Sequence, residues 1–526
     1  MKTCFIYFLA YTLLSLGGCS SGESKVDAEL VVSTGSLSFE SNGETKTFHI
    51  KTNAKAVISS TADWCTIAFN QEEIPSTFPV YVTAGENPDL AERSAQIRIT
   101  VENLSAAVEI SQQKAIPPLP PPVADPELPE FIPPDQTGMT SDAPALAPQM
   151  KIGWNLGNSL EACSATSAGE TLWGNPKTTK RLIDSVKTAG FNTVRIPCAW
   201  NGYIEDPENF KIRASWLKRV QEVVDYCIDN EMYALLNIHW GGGWLEENPF
   251  YASREAVNKK QQALWKQIAI HFRDYDEHLL FAGTNEVHAD YGNPSPENIE
   301  VQLSYNQTFV DAVRATGGRN ACRNLVVQAY NTNIGHAVDY FELPEDAAQN
   351  RLMLEVHYYD PYDFCLDASS AIYLWGKDYT GRNVSSWGQE DWVDERFALM
   401  KTHFIDRGIP VILGEYCATL RSSLNGAAKD NHIISRNYYL HYVTRKALEN
   451  GLVPLYWDNG HTGDNGSGLF NRSTGNQVHP DAIRSIISPY TVNLQTQKSH
   501  HPPDWAFCGE NPEYLGFFTT FTSIIK

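Results

Sequence analysis

The sequence predicts an α/β protein: a (β/α)8 barrel preceded by a small all-β immunoglobulin-like sandwich. Three observations support this fold. Short alternating strand patterns fill residues 26–114, a proline-rich stretch follows, and from residue 150 onward eight apolar runs alternate with helical patterns. A chain of 526 residues is also too long for one ordinary core, so more than one domain is expected.

The first residues have the pattern of an export signal. Lys2 precedes an apolar run over residues 5–16, which is too short to span a bilayer. The run leads into Leu16-Gly17-Gly18-Cys19, followed by Ser- and Gly-rich chain. This resembles the lipobox of bacterial lipoproteins. It implies removal of residues 1–18, lipidation of Cys19 and attachment at the outer membrane or cell surface, with the periplasmic face as an alternative. An ordinary signal peptide would also export the protein.

Residues 26–114 alternate apolar and polar side chains in several short segments. The apolar positions include Phe48 and Ile50, Val80 and Val82, and Val108 and Ile110. Such strands, separated by turn signals, predict a sandwich.

The strings Ala62-Asp63-Trp64-Cys65 and 109–113 resemble the Bacteroidetes-associated, BACON-like module found N-terminal to carbohydrate-active domains. The resemblance implies glycan binding. The alternative is a spacer, because Trp64 is the one residue that stands out as a stacking candidate.

A run of prolines marks the clearest boundary in the chain. Pro117–Pro122 opens a stretch that reaches Pro134, and such composition predicts an extended, semi-rigid linker over 115–137. The barrel is then expected over 138–490. The tail, 491–526, shows no pattern that predicts its role.

The barrel prediction comes from alternating strand and helix patterns. Helical segments such as 176–189, 214–230, 298–316 and 392–407 lie between the apolar runs. In a (β/α)8 barrel the chemistry lies at the carboxyl ends of the strands. No Gly-rich phosphate loop follows the first run, which argues against a doubly wound nucleotide-binding sheet. The predicted strands are 151–156, 192–197, 233–239, 279–286, 324–330, 351–358, 410–416 and 453–457.

Composition excludes some classes of partner. The net charge is −21, whereas nucleic-acid binding needs clustered Lys and Arg. A neutral polysaccharide is not excluded, and 13 Trp residues supply flat faces on which sugar rings stack. The 10 Cys show no CxxC pair and no metal-ligand spacing, so neither a disulfide scaffold nor a metal site is predicted.

Two glutamates end apolar runs. Glu286 closes Gly283-Thr284-Asn285-Glu286 on the fourth predicted strand, and Glu415 lies in Val411–Tyr416 on the seventh. A buried strand that ends in a carboxylate suggests a cleft, and two such carboxylates suggest the acid and the nucleophile of a glycosidase. Other polar or aromatic residues at predicted strand ends include Arg195, His239, Asn285, His357, Tyr359 and Trp457.

Several motifs together resemble glycoside hydrolase family 5. They are GWNLGN at 153–158, NTVRIP at 192–197, the NE of the fourth strand, the HYY of the sixth and the GE of the seventh. The resemblance covers roughly 138–490, and LWGNP at 172–176 is similar to the bacterial endoglucanase branch. One departure is Val287, which stands where many members have proline after Asn-Glu. We expect it to alter the loop after the fourth strand.

The resemblance implies a retaining mechanism with Glu415 as nucleophile and Glu286 as general acid and base. We further expect the charge of Glu415 to raise the pKa of Glu286 enough to keep it protonated near pH ~6.

The remaining strand-end residues are expected to hold the nucleophile or bind the sugar. Arg195 would keep Glu415 ionised, Tyr359 would donate a hydrogen bond to it, and His357 would lie beside it. Asn285 is the expected partner of the sugar 2-hydroxyl. The same subsite would be lined by His239 and Trp457.

The sequence therefore predicts a retaining endo-β-1,4-glucanase that cleaves internal bonds of cellulose-type β-glucans by double displacement. No cofactor or metal is expected. We predict a monomer that binds no nucleic acid and reaches a membrane only through its lipid. Alternatives within the family are xyloglucan- or mixed-linkage-specific hydrolases and mannanases. A catalytically dead glycan-binding lipoprotein is a different class, and the presence of both glutamates argues against it.

Overall fold

A computed structural model of the chain describes residues 27–89, 91–115, 128–164 and 167–496. The chain divides into two compact units, one through residue 127 and one from residue 128. The predicted export signal with Cys19, most of the proline-rich run and residues 497–526 lie outside the described residues. Among the described helices, none is long and apolar enough to cross a membrane.

The described residues of the first unit form eight strands in two four-stranded sheets. Their orders are β1-β3-β6-β5 and β2-β8-β7-β4. The alternating residues singled out in the sequence are buried in one core between these strands. The strands are β1 (Leu30–Val32), β2 (Ser36–Phe39), β3 (Glu44–Thr52), β4 (Ala56–Ser60), β5 (Cys65–Phe69), β6 (Ser76–Ala84), β7 (Arg93–Val101) and β8 (Leu104–Gln112).

Trp64, the stacking candidate of this unit, is already partly covered. The Arg93 guanidinium lies 4.4 Å from the centroid of its ring, and the indole also packs against the sandwich core. A cation over an aromatic face makes a favourable contact that a sugar ring would have to replace.

The second unit contains a closed barrel of eight parallel strands, as predicted. Around the barrel the order is β9-β10-β13-β14-β15-β16-β17-β18, and β11 pairs with β12 in a small hairpin. The strands are β9 (Gly153–Leu156), β10 (Thr193–Ile196), β11 (Ile204–Asp206), β12 (Lys211–Ile212), β13 (Tyr233–Asn237), β14 (Leu279–Ala282), β15 (Leu325–Gln328), β16 (Leu352–Tyr358), β17 (Val411–Tyr416) and β18 (Val453–Asp458).

Helices surround the barrel and close one end of it. Helix α1 contributes buried Leu146 and Met150 to an apolar cluster with inward residues of the strands, such as Leu235 and Ile412. The helices are α1 (Ala143–Met150), α2 (Lys180–Thr188), α3 (Ala214–Ile228), α4 (Tyr251–His271), α5 (Pro296–Arg314), α6 (Ile334–Tyr340), α7 (Tyr362–Cys365), α8 (Glu390–His403), α9 (Gly426–Glu449) and α10 (Pro480–Thr496).

The side chains of β16 that face the barrel interior change from apolar to polar along the strand. Met353 belongs to the apolar cluster, and Glu355 and His357 follow at spacings of two. Since alternate residues of a strand face the same side, the barrel is apolar at the α1 end and polar at the carboxyl ends of its strands.

A β-bulge lies beside Glu415. Val356 pairs with Leu413 but His357 pairs with Glu415, so Gly414 is the extra residue. Bulges re-aim side chains next to functional sites. A Cβ on Gly414 would collide with the carboxyl of Glu355, so this close approach requires glycine.

The fourth barrel strand is shorter than the sequence predicted. β14 ends at Ala282, so Glu286 stands in the following loop and not on the strand. The loop is anchored by Val287, whose fully buried side chain packs with Leu245 and Tyr305 among others.

Candidate active site

Arg195 lies on β10, is fully buried and connects five barrel strands or their loops. Its Nη1 donates to Glu415 Oε1 at 2.7 Å and to Asn155 Oδ1 at 3.1 Å. Nη2 donates to Asn285 Oδ1 at 2.8 Å. Nε lies 2.8 Å from Glu355 Oε1. A single guanidinium therefore fixes the positions of the polar groups in the barrel mouth.

Glu415 is the more enclosed of the two predicted catalytic carboxylates. Its side chain is 7% exposed, with Oε1 at Arg195 and Oε2 accepting a hydrogen bond from Tyr359 Oη at 2.7 Å. Burial raises its pKa, the cations His357 and Arg195 lower it, and the charge of Glu286 raises it. The net pKa lies above the ordinary glutamate value.

Glu286 contacts the barrel through His357. Its side chain is 26% exposed, and its Oε1 lies 2.5 Å from His357 Nδ1. The same Nδ1 is 3.7 Å from Glu415 Oε2, and Nε2 is 3.3 Å from Glu355 Oε1. The imidazole thus lies among three carboxylates.

The charge state of His357 reverses one expectation from the sequence. Burial alone would lower its pKa, but Glu415, Glu286 and Glu355 raise it to about 10. For Glu286, burial raises the pKa, but the hydrogen bond and charge of His357 outweigh it and the pKa falls below its ordinary value. The expectation of a raised pKa was wrong because it considered the charge of Glu415 without that of His357. In the free protein the proton is held on His357, one hydrogen bond from Glu286.

The two carboxylates are close together. One oxygen of Glu286, one of Glu415 and a ring nitrogen of His357 lie within 4.8 Å of one another. These three atoms are near enough to meet at one metal ion. A metal ion bound there would have to displace the proton from His357, whose pKa is raised to about 10.

Asn285 is held at both ends of its amide. Its Oδ1 accepts from Arg195, and its Nδ2 lies 3.2 and 3.4 Å from the carboxyl oxygens of Glu246. Glu246 comes from the loop after β13 and is buried. Burial, followed by the charge of Glu286, raises the pKa of Glu246 to about 8.

His239 and Trp457 face each other across the barrel mouth. Their rings are parallel within 8° at a centroid distance of 6.0 Å. Asn237 Oδ1 accepts from the Cys198 backbone N–H, so Asn237 Nδ2 donates to His239 Nδ1 at 3.1 Å. Burial lowers the pKa of His239 well below its ordinary value, which leaves a neutral ring whose proton is on Nε2.

Residues 157–463, more than half of the chain, match the family model for cellulase, glycosyl hydrolase family 5. The chain belongs to glycosyl hydrolase family 5. Residues 54–113 match the model of the BACON N-terminal binding domain. The resemblances to family 5 and to the BACON-like module are therefore confirmed.

Two relatives with known names are similar over most of the chain. A xyloglucan-specific endo-β-1,4-glucanase of Bacteroides ovatus is 39% identical over 494 residues, covering 92% of this chain and 95% of that protein. Endoglucanase A of Paenibacillus barcinonensis is 39% identical over 363 residues, covering 66% of this chain and 89% of the relative.

Solved structures of family 5 members are also similar to this chain. The Bacteroides ovatus GH5 xyloglucanase in complex with an XXXG heptasaccharide superposes with a TM-score of 0.67 at 39% identity, covering 88% of this chain and 100% of that one. A broad-specificity GH5-4 endoglucanase from Bacteroides salanitronis superposes with a TM-score of 0.63 at 36% identity, covering 67% of this chain and 96% of that one.

In this family 5 barrel, the residues predicted from strand ends all lie at the carboxyl ends of their strands or directly beyond. Six form one connected network, and the remaining two stack on each other beside it. The network comprises Arg195, Asn285, Glu286, His357, Tyr359 and Glu415.

Besides Asn155, which stands in the GWNLGN motif, three contributors to this network were missed in the sequence. Glu355 could have been found, because an acidic residue two positions before His357 in an apolar strand must share its inward face. Gln328 donates to Glu355 Oε2 at 2.6 Å. It could also have been found, because it is a polar residue at the end of the apolar strand β15. Glu246 has no such signal, since nothing in the loop sequence distinguishes it from Glu247.

The seven described cysteines are all free thiols. Among them, Cys198, Cys227 and Cys417 are buried in the barrel unit.

Proposed function

We propose that this chain is a retaining endo-β-1,4-glucanase that cleaves β-glucan chains internally, with Glu415 as nucleophile and Glu286 as acid and base. The observation that carries the proposal is the carboxylate oxygen separation of at most 4.8 Å. Retaining glycosidases hold the two carboxyls ~5–5.5 Å apart, whereas inverting enzymes leave room for a water at ~6.5–9.5 Å.

In the first step a Glu415 oxygen attacks the anomeric carbon while the glycosidic C–O bond breaks. Glu286 delivers a proton to the leaving oxygen, and a glycosyl ester of Glu415 forms. In the second step Glu286 takes a proton from water as the water oxygen attacks the anomeric carbon. The sugar then leaves with a new hydroxyl and Glu415 is free again.

His357 supplies the proton that the first step needs. It carries the proton in the free protein and faces Glu286 at 2.5 Å, so the proton need only cross one hydrogen bond. As Glu415 becomes esterified, one of the negative charges that hold the proton on His357 disappears. This favours movement of that proton to Glu286 and on to the leaving oxygen, which leaves Glu286 ionised and able to accept a proton from water in the second step.

The two sides of the cleft would hold different parts of the glucan chain. A cavity of about 770 Å³ opens beside Glu286 and is lined by Tyr291, Asn331, Tyr362 and Trp392, among others. Because the acid stands on the leaving-group side of the broken bond, this cavity would hold the departing part of the glucan. Asn285, His239 and Trp457 would contact the sugar that is retained.

A xyloglucan-specific activity is the second candidate. The Bacteroides ovatus relative with that name aligns along 92% of this chain, including the N-terminal unit, whereas the Paenibacillus barcinonensis endoglucanase aligns along 66%. Mixed-linkage glucan and mannan remain further alternatives within the family.

We further propose that the chain is exported, attached through a lipid on Cys19, and monomeric. The BACON match and the Bacteroides relative are consistent with a location at the cell surface. Radiolabelled palmitate should label the wild-type chain in its native host but not a Cys19→Ala variant. Equal labelling of both would contradict the anchor.

The test of activity is reducing-end release from carboxymethylcellulose, mixed-linkage β-glucan, xyloglucan and glucomannan by protein that begins after Cys19. We expect release from the β-glucans and none by Glu415→Gln. Preference for xyloglucan would establish the second candidate. Retained binding without release from any substrate would instead indicate a catalytically dead glycan-binding protein.

A further inference from the structure

We propose that Glu246 is a positioning residue for the reaction, which orients the Asn285 amide and fixes the loop that carries Glu286. The inference rests on the proposed function. It assigns a role to a buried carboxyl that takes no part in the two chemical steps.

The first observation is the way the Glu286 loop is held. β14 ends at Ala282, so Glu286 lacks the support of strand pairing. Glu246 contacts this loop on both sides of Glu286. Its carboxyl binds Asn285 Nδ2, and its backbone carbonyl accepts from the His288 N–H at 2.8 Å.

The second observation is that Glu246 is itself enclosed by packed residues. It is 6% exposed, and its neighbour Leu245 packs with Val287 in one apolar cluster. The loops after β13 and β14 therefore form one packed unit in which the Glu246 carboxyl has a fixed position.

The third observation concerns the orientation of the Asn285 amide. An amide flip would bring Nδ2 against the Arg195 guanidinium, which is a repulsive pairing of two donors, and would give up the contact of Nδ2 with the Glu246 carboxyl. Arg195 and Glu246 together thus select one orientation, which presents the amide to the 2-hydroxyl of the retained sugar. Hydrogen bonds to this hydroxyl strengthen as the transition state forms.

Glutamine should replace Glu246 well. Burial and the charge of Glu286 raise the pKa of Glu246 to about 8, so the carboxyl is neutral at the pH of ordinary assays. Gln is also neutral and keeps an oxygen acceptor, whereas Leu fills similar volume without one.

The experiment compares Glu246→Gln and Glu246→Leu on two substrates. One is 2,4-dinitrophenyl β-cellobioside, and the other lacks the 2-hydroxyl on the sugar that bears the leaving group. We expect Glu246→Leu to lower kcat/KM about 10- to 100-fold on the first and less than about 3-fold on the second. Glu246→Gln should stay within about 3-fold of wild type on both.

Glu161→Leu is the matched control. Glu161 is also a buried rim-loop carboxyl, 1% exposed, and it accepts from the Ser159 backbone N–H at 2.8 Å. Any loss it causes should be equal on the two substrates. If Glu246→Leu does not fold, as shown by thermal unfolding, Glu246→Asp withdraws the carboxyl by one carbon and carries the same expectation.

A double-mutant cycle adds a second readout. In an Asn285→Ala background, Glu246→Leu should cost less than about 3-fold on the first substrate, since the amide it orients is gone. Equal losses of Glu246→Leu on both substrates, or Glu246→Gln as damaging as Glu246→Leu, would overturn the inference. Wild type that is inactive on every glucan would overturn the proposed function instead.

Discussion

Glu415 and Glu286 present the same chemical group in two different settings. Glu415 lies within β17, is 7% exposed, and is held by Arg195 and Tyr359. Glu286 lies on a loop, is 26% exposed, and faces His357. The strand-borne carboxylate is fixed between donors that favour its ionised form. The loop-borne carboxylate is paired with a proton donor, so it can gain and lose a proton during one turnover.

Removal of the fixed carboxylate should have the largest effect. Glu415→Gln removes the attacking oxygen anion but keeps size and shape, so we expect turnover to fall at least about 10⁴-fold while glucan binding persists. Reducing-end release measures turnover, and isothermal titration calorimetry with a cello-oligosaccharide measures binding. Rates similar to wild type would remove Glu415 from the mechanism.

Removal of the loop-borne carboxylate should depend on the leaving group. Glu286→Ala is expected to slow hydrolysis of β-glucan about 10²- to 10⁴-fold, because a sugar alkoxide leaves poorly without a proton. The formation of the glycosyl ester from 2,4-dinitrophenyl β-cellobioside should fall less than about 10-fold, since this leaving group needs no acid. Burst kinetics separate that step from hydrolysis. Equal losses on both substrates would contradict the assignment.

Removal of the charge on His357 should change the pH profile. In wild type His357 and Glu286 hold the acid proton as a pair, and the pKa of His357 is raised to about 10. His357→Asn keeps a hydrogen-bond donor near Glu286 but removes the imidazole that shares the acid proton. Only the Glu286 carboxyl can then hold this proton. The alkaline limb of kcat/KM should therefore move to lower pH by at least about one unit. An alkaline limb that stays in place would show that the pair does not store the proton.

The smallest of these effects is expected from Tyr359→Phe. It removes one hydrogen bond to Glu415, so turnover should fall about 10-fold. This hydrogen bond lowers the pKa of Glu415, which is already raised, so its loss should move the acid limb of kcat/KM to higher pH. Tyr358→Phe is the matched control, because the buried hydroxyl of Tyr358 has no hydrogen-bond partner in the described chain. Equal effects of both variants would argue against a specific contact of Tyr359.

The contrast between residues on strands and residues on loops also explains which parts of the site could be predicted from the sequence. Residues on strands, such as Arg195 and Glu415, were found because a polar side chain in a short apolar run must face the barrel interior. Glu286 was found through its motif, but its loop position was not, because apolar periodicity does not show where strand pairing stops. Glu246 and the charge of His357 depend on contacts between distant segments. Neither leaves a mark in the local sequence.

Gly414 has a consequence for how this site can evolve. Any side chain at position 414 would collide with the carboxyl of Glu355, which in turn lies 2.8 Å from Arg195 Nε. Shortening Glu355 first would withdraw the carboxylate that neutralises Arg195, and enlarging residue 414 first would displace the neighbouring nucleophile. Since either substitution alone is harmful, the two positions can change only together. We expect functional homologues to keep both residues or to have exchanged both together.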